Sequence, residues 1–201
     1  MKIIKSCGFV VYTDVLGERR YLVIESVNGD VGFPKGHVEA GESELETAIR
    51  ELSEEVGIKA VVTDKSADVS RNAGVKVDAV HGNDTAIGVG ALAGEDTVVT
   101  DKSADVFENK PFLGDAVVIH GFSRRVEYML PRSSDAVKQV VYFLAKCFNT
   151  DVLKCQESEV RRAVFLAYAE AVNALTFDNT KQILREAENF ITSKDFQKEN
   201  V

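Results

Sequence analysis

The chain has 201 residues, 45% hydrophobic and 28% charged, with 24 basic against 32 acidic side chains and a formal net charge of −8. That apolar content excludes an intrinsically disordered chain, and the acidic balance speaks against broad binding to nucleic acid or an anionic membrane. No apolar run reaches the roughly 18–20 residues of a membrane span, and Asp14 and Glu18 fall where a signal peptide would place its cleavage site, so a soluble, cytoplasmic protein is expected. Residues 6–12 (SCGFVVY) and 21–27 (YLVIESV) read as two strands joined by a polar loop containing Gly17. A helix is predicted from about 43 to 57, with Leu45, Ala48, Ile49, Leu52 and Val56 in one apolar stripe. Ser43 with Glu46 makes a capping-box start, Gly57 a stop, and Glu46 and Arg50 stand at the i,i+4 spacing of an ion pair. Residues 121–130 and 137–148 are again strand-like, 163–175 contain a strand end and a short helix, and 179–193 form an amphipathic helix with Ile183, Leu184, Ala187, Phe190 and Ile191 on one face. This order makes the class α+β, or mixed α/β. Cys7, Cys147 and Cys155 are odd in number and lack CxxC spacing, which argues against a disulfide framework or a zinc site; Cys7 and Cys147 lie in apolar runs as core thiols.

Residues 61–120 differ in character. VVTDKSADV occurs at 61–69 and again, letter for letter, at 98–106. Two copies are too few for a solenoid. The reading is a single domain over 1–201, interrupted by an insertion at about 61–118 that a tandem duplication lengthened as a surface loop. A lid or an oligomerisation lobe is the functional alternative.

On the predicted helix, Glu44, Glu51, Glu54 and Glu55 share a face away from the apolar stripe. Like charges at i,i+4 repel, and more so where water is excluded. A solvated acidic face is the ordinary explanation; a site for a hard cation is the alternative, since magnesium prefers carboxylate oxygens and keeps substrate phosphates in its shell. The surrounding letters separate the two. Gly36, Glu42, Arg50, Glu51, Glu54, Glu55 and Gly57 fit G-x5-E-x7-R-E-U-x-E-E-x-G-U, and Leu52 and Ile58 fill its aliphatic positions. That pattern is the Nudix box, and the chain resembles the Nudix hydrolases.

The resemblance implies an α/β/α sandwich around a mixed sheet, with the box as a catalytic loop–helix–loop. It implies Mg2+, with Mn2+ as an alternative, held by Glu51, Glu54, Glu55 and the carbonyl of Gly36, and Arg50 orienting a glutamate. PKGHVEAGE (34–42), GFSRRVEY (121–128), VKQVVYFLA (137–145) and LTFDNTKQILREAENFI (175–191) are similar to the asymmetrically cleaving dinucleoside tetraphosphate hydrolases. Carried over by position, Tyr142 and Phe177 would stack an adenine, with Tyr142 pointing outward from its alternating run. Lys35, His37 and Lys138 become candidate phosphate contacts. Glu159 lies where the resembled enzymes carry a further glutamate, as general base or extra ligand, with Glu54 the other candidate base. His81 and His120 have no motif around them. The expected activity is cleavage of diadenosine tetraphosphate to ATP and AMP by water attack on phosphorus, in a monomer acting on a small-molecule nucleotide. Two other readings stand beside it: hydrolysis of RNA 5′ ends or modified nucleoside triphosphates, and a catalytically silent nucleotide-sensing module.

Overall fold

The computed structural model describes residues 2–14, 17–63, 114–129 and 136–199. The elements below belong to one compact unit, Met1–Arg71 with Phe112–Val201. In chain order they are β1 (Lys2–Thr13), β2 (Arg20–Ser26), β3 (Val31–Gly32), β4 (Lys35–His37), α1 (Glu44–Val56), β5 (Ala60–Val61), β6 (Ala116–Met129), β7 (Ala136–Cys147), β8 (Val160–Ala167), α2 (Tyr168–Ala174) and α3 (Asp178–Glu199). The sheet runs β3-β2-β1-β7-β6-β5, with β4 pairing to β1 and β8 to β2. It is mixed: β1 lies parallel to β7 from Lys2↔Ala136 to Tyr12↔Lys146, whereas β6 and β7 are antiparallel.

Period-2 alternation along β1 sends its side chains into two separate cores. Cys7, Phe9 and Val11 pack with Ala48, Leu52 and Val56 of α1. Val10 and Tyr12 go to the other face, where Ala171 of α2 and Ile183, Leu184, Ala187 and Ile191 of α3 cover the sheet. Helices on both faces of a mixed sheet make this an α/β/α sandwich, the architecture that the resemblance implied. The helix α3 is also tied down by polar contacts: Tyr21 donates its hydroxyl to Glu188, and Arg19 reaches the same carboxylate at 3.3 Å.

Several predicted elements are displaced or were missed. The strand expected from 121 starts at Ala116, because its ladder to β7 slips between Ile119 and Ser123. Gly121, at φ +88°, lies in the slip, and Phe122 beside it packs against Phe190 of α3 with ring centroids 5.5 Å apart. The short strands β3, β4 and β5 carry two or three residues each, too few for alternation to be visible. The predicted Glu46–Arg50 pair does not form. The Glu46 carboxylate instead turns back to accept the Ser43 N–H at 2.8 Å, completing the capping box and leaving Arg50 to other partners. The repeated segments at 61–69 and 98–106 lie outside the described residues, apart from 61–63. No helix among the described residues is long and apolar enough to cross a membrane.

Candidate active site

The apolar stripe of α1 is buried, and that burial carries part of its acidic flank down with it. Glu51 and Glu55, one turn apart, are only 8% and 4% exposed, while the Glu54 side chain is half exposed. Against them lies β4, whose Gly36 pairs with Cys7 and therefore faces α1. A Cβ on Gly36 would stand 1.9 Å from Oε1 and Cδ of Glu51, so only glycine leaves that carboxylate its place. The Lys35 N–H donates to Oε2 of Glu55 at 2.7 Å. Burial nonetheless pushes the Glu55 carboxyl up to about 7; the charge and N–H of Lys35 pull it down, and Glu51 and Glu159 add to the rise. Burial raises Glu51 as well, against the pull of Arg50.

Arg50 is the hub of this cluster. Its Nη1 donates to Glu51 and Glu54, both at 2.8 Å, and its Nη2 to the His37 carbonyl at 2.9 Å. Its Nε and Nη2 grip Glu42 at 2.6 and 3.0 Å. Glu42 also accepts from the Thr47 hydroxyl at 2.8 Å, and the Arg50 hydrogen bonds hold its carboxyl at about 2. A fixed carboxylate on one side thus aims the guanidinium at two others. Among the described residues no three His, Cys, Asp or Glu side chains already converge as a ligand set, and Nη1 of Arg50 stands between Glu51 and Glu54.

The opposite face of β4 is basic. Lys35 and His37 pair with Gly8 and Ser6 of β1, which places them on the face away from α1, with Lys138 of β7 on the same face through its neighbour Ile4. Nζ of Lys138 lies 2.9 Å from Nε2 of His37, an ammonium donating to a neutral imidazole. Burial, then the charge of Lys35, lowers Lys138 to about 8; burial and the two lysines lower His37. Neither lysine has an ion-pair partner within 4.0 Å among the described residues. Glu159, on the turn before β8, is exposed but close enough to raise the pKa of Glu51, Glu55 and His37.

The aromatic expectations fare unequally. Tyr142 was expected to point outward, but it is 2% exposed and meets Phe33 edge-on at 5.6 Å between centroids. Strand β7 lies between β1 and β6 and is covered on both faces, so alternation there chooses between two cores and not between core and solvent. Phe177 is 51% exposed just before α3, where its carbonyl accepts the Lys181 N–H, and Thr176 beside it is tied to Val31. The residue that sequence reasoning missed is Tyr128. It pairs directly with Lys138 across β6 and β7 and is 39% exposed. The signal was the strand register, which puts Tyr128 on the face of Lys138 once the two strands are aligned.

A profile of the NUDIX domain matches residues 9–87, the stretch that holds β4, α1 and the acidic cluster. The chain carries a Nudix domain. It is 24% identical to the asymmetrical bis(5′-nucleosyl)-tetraphosphatases of Sus scrofa and Mus musculus, in each case over 94% of this chain and 97% of the relative. The enzyme of that name from Caenorhabditis elegans is 36% identical over 58 residues, 28% of this chain and 42% of the relative. Among solved structures, a C. elegans Ap4A hydrolase binary complex superposes with a TM-score of 0.62 at 18% identity, covering 94% of this chain and 98% of that one. The NUDIX domain of Shewanella oneidensis NrtR complexed with ADP ribose gives 0.56 at 14% identity, covering 95% and 90%.

Nudix hydrolases generally use divalent metals such as Mg2+ and bind small nucleotide substrates. The acid face of this Nudix domain suits such an ion on its own terms. Its donors are all oxygens, the preference of a hard cation. Two of its carboxylates are buried, Glu51 balanced by the Arg50 guanidinium and Glu55 by the Lys35 N–H and charge, and the missing side chain of Gly36 is what lets the Glu51 carboxylate lie against β4.

Proposed function

We propose that this Nudix domain hydrolyses dinucleoside polyphosphates, cleaving diadenosine tetraphosphate asymmetrically to ATP and AMP. The observation that carries the reading is the two-faced strand β4, with buried carboxylates against one side and, on the other, basic groups that have no ion-pair partner among the described residues. Relatedness to asymmetrical tetraphosphatases along nearly the whole chain supports the substrate class.

Glu51, Glu54, Glu55 and the Gly36 carbonyl would hold Mg2+ or Mn2+. Such an ion would neutralise charge on the polyphosphate and would favour loss of a proton from the attacking water. Arg50 keeps Glu51 and Glu54 oriented. Lys35, His37 and Lys138 take the polyphosphate oxygens, for which Lys138 must carry its proton. Tyr128 and Phe177 offer exposed ring faces to adenine, a stacking role that Tyr142 does not fill from the core. Water's oxygen bonds to one phosphorus, the bridging P–O bond breaks, and ATP and AMP leave. The proton passes to a carboxylate, for which Glu159 and Glu54 are the candidates. Catalysis of this kind rests on positioning and charge stabilisation.

The test is incubation with Mg2+ and diadenosine tetraphosphate, beside triphosphorylated or capped RNA and a panel of nucleoside triphosphates, with chromatographic separation of products. ATP and AMP in equal amounts from the dinucleotide are expected. Two ADP would move the cleavage site, and turnover only of RNA or of a nucleoside triphosphate would replace the substrate. Binding without turnover of anything would make the domain a nucleotide sensor.

A further inference from the structure

Glu159 sits on a turn, and the main chain on either side of it decides where its carboxylate goes. The Glu159 N–H donates to the Gln156 carbonyl at 3.0 Å, and the Gln156 N–H donates to the carbonyl of Glu55, again at 3.0 Å. One residue therefore links the turn to a member of the acid cluster. On the other side the Glu159 carbonyl accepts the Val27 N–H at 3.0 Å, just past the end of β2. Here the ladder between β2 and β8 is irregular. Ile24 pairs with Ala163 and Glu25 with Arg162, but Ser26 pairs with Val160, so Arg161 is the extra residue of a bulge. Such a bulge changes the facing of every residue that precedes it on its strand, and bulges next to sites commonly re-aim a side chain.

The extra residue is itself fastened. Nη1 of Arg161 donates to Oε1 of Glu25 at 2.9 Å, and Nη2 to the Val27 carbonyl at 2.8 Å. Val27 is thus held on both sides, its carbonyl by Arg161 and its N–H by the Glu159 carbonyl. The Arg161 side chain is 59% exposed, where an ion pair adds little to stability. Its two bonds span the bulge without burying charge, so they act mainly on geometry.

We propose that Arg161 is a positioning residue for Glu159: by pinning the bulge to Glu25 and Val27 it fixes the turn that delivers the Glu159 carboxylate to the acid cluster. The inference rests on the hydrolysis proposed above and on a part for Glu159 in it. It assigns Arg161 no contact with substrate.

A double-mutant cycle tests it, using the full chain with Mg2+ and diadenosine tetraphosphate. Arg161→Ala is expected to lower kcat about 10-fold, as small misplacements of a reacting group do, with KM within about 2-fold and the melting temperature nearly unchanged. Arg161→Lys, which keeps the charge and one donor nitrogen in place of two, should recover part of the loss. Arg162→Ala, one residue away with the same change in charge, should behave as wild type. The decisive comparison is Arg161→Ala in the Glu159→Gln background, where no further loss is expected because nothing remains to be positioned. Full activity in Arg161→Ala, a loss that adds undiminished to that of Glu159→Gln, or a loss tracking a large fall in melting temperature would each overturn the inference while leaving the hydrolysis reading intact. Full activity in Glu159→Gln alone would remove Glu159 from the reaction and this inference with it. No hydrolysis by wild-type protein would be the separate failure of the functional reading.

Discussion

The two faces of β4 are built on opposite plans. Toward α1, Gly36 meets Glu51, and each carboxylate of the cluster has a partner on one oxygen: Glu51 and Glu54 from Arg50, Glu55 from a main-chain N–H, with Arg50 in turn gripped by Glu42. Away from α1, Lys35 and Lys138 have no ion-pair partner within 4.0 Å among the described residues, although the Lys35 charge still acts on Glu55, and Lys138 leans on a neutral imidazole. A protein that needed only stability would place these charges against one another. Strand β4 lies between them, with α1 and its carboxylates against the Gly36 face and Lys35, His37 and Lys138 on the other; in the proposed reaction that second face takes the anion. The difference turns on Gly36, whose missing side chain is what lets the Glu51 carboxylate approach the strand that carries Lys35 and His37.

The acid face is the sharper place to break this arrangement. Glu55→Gln keeps the hydrogen bond from the Lys35 N–H but removes the charge, and is expected to cost about 10²–10³-fold in kcat, the scale of losing one transition-state charge contact. Gly36→Ala should approach that loss by displacing the Glu51 carboxyl, whose flexible side chain can move without unfolding the domain. Steady-state kinetics beside thermal melts would check both; a wild-type rate in either would contradict the division of labour between the faces.

The aromatic pair comes next, since Tyr128 and Tyr142 lie on the basic face at different depths. Tyr142→Ala empties a core site and is expected to lower stability by about 3 kcal/mol. Tyr128→Ala should leave the melting temperature nearly unchanged and raise KM for the dinucleotide about 10-fold, the value of one lost stacking partner. Denaturant melts and KM measured on both variants would show the reversed pattern if Tyr142 were the stacking residue.

The basic face titrates. With Lys138 lowered to about 8 by burial and by Lys35, its charge is present below that pH and is lost as pH rises through it. An anionic substrate should therefore bind more weakly above pH 8, with KM rising several-fold by pH 9.5. Lys138→Arg, which stays charged, should flatten that rise, and a pH series of KM for the two proteins distinguishes Lys138 from any group elsewhere.

How much of this was legible in the sequence depends on what each signal required. The helix α1, its cap and its carboxylates were readable because thirteen consecutive residues carry one period, and the box fixes their spacing. The long strands were readable for the same reason. The strand β4 was not, although it organises the site, because three residues hold no period; its side-chain directions come from pairing with β1. Tyr142 misled because alternation names a face but not what lies on it, and β7 is buried on both. Tyr128 was hidden behind the register of β6, which a three-residue slip resets. The bulge at Arg161 left no mark in the letters, since any pair of arginines reads as a solvated charge run.

The central claim is that both faces of β4 act on one polyphosphate. Calorimetric binding of diadenosine tetraphosphate to wild type, Glu55→Gln and Lys138→Met, each with and without Mn2+, tests it most directly. Slow turnover can be outrun at low temperature. The account predicts that the cation tightens nucleotide binding to wild type at least 10-fold, and that nucleotide tightens cation binding by the same factor. Glu55→Gln should lose most of that gain, and Lys138→Met should bind weakly throughout yet keep the gain. Equal nucleotide affinity with and without the cation in wild type would contradict it.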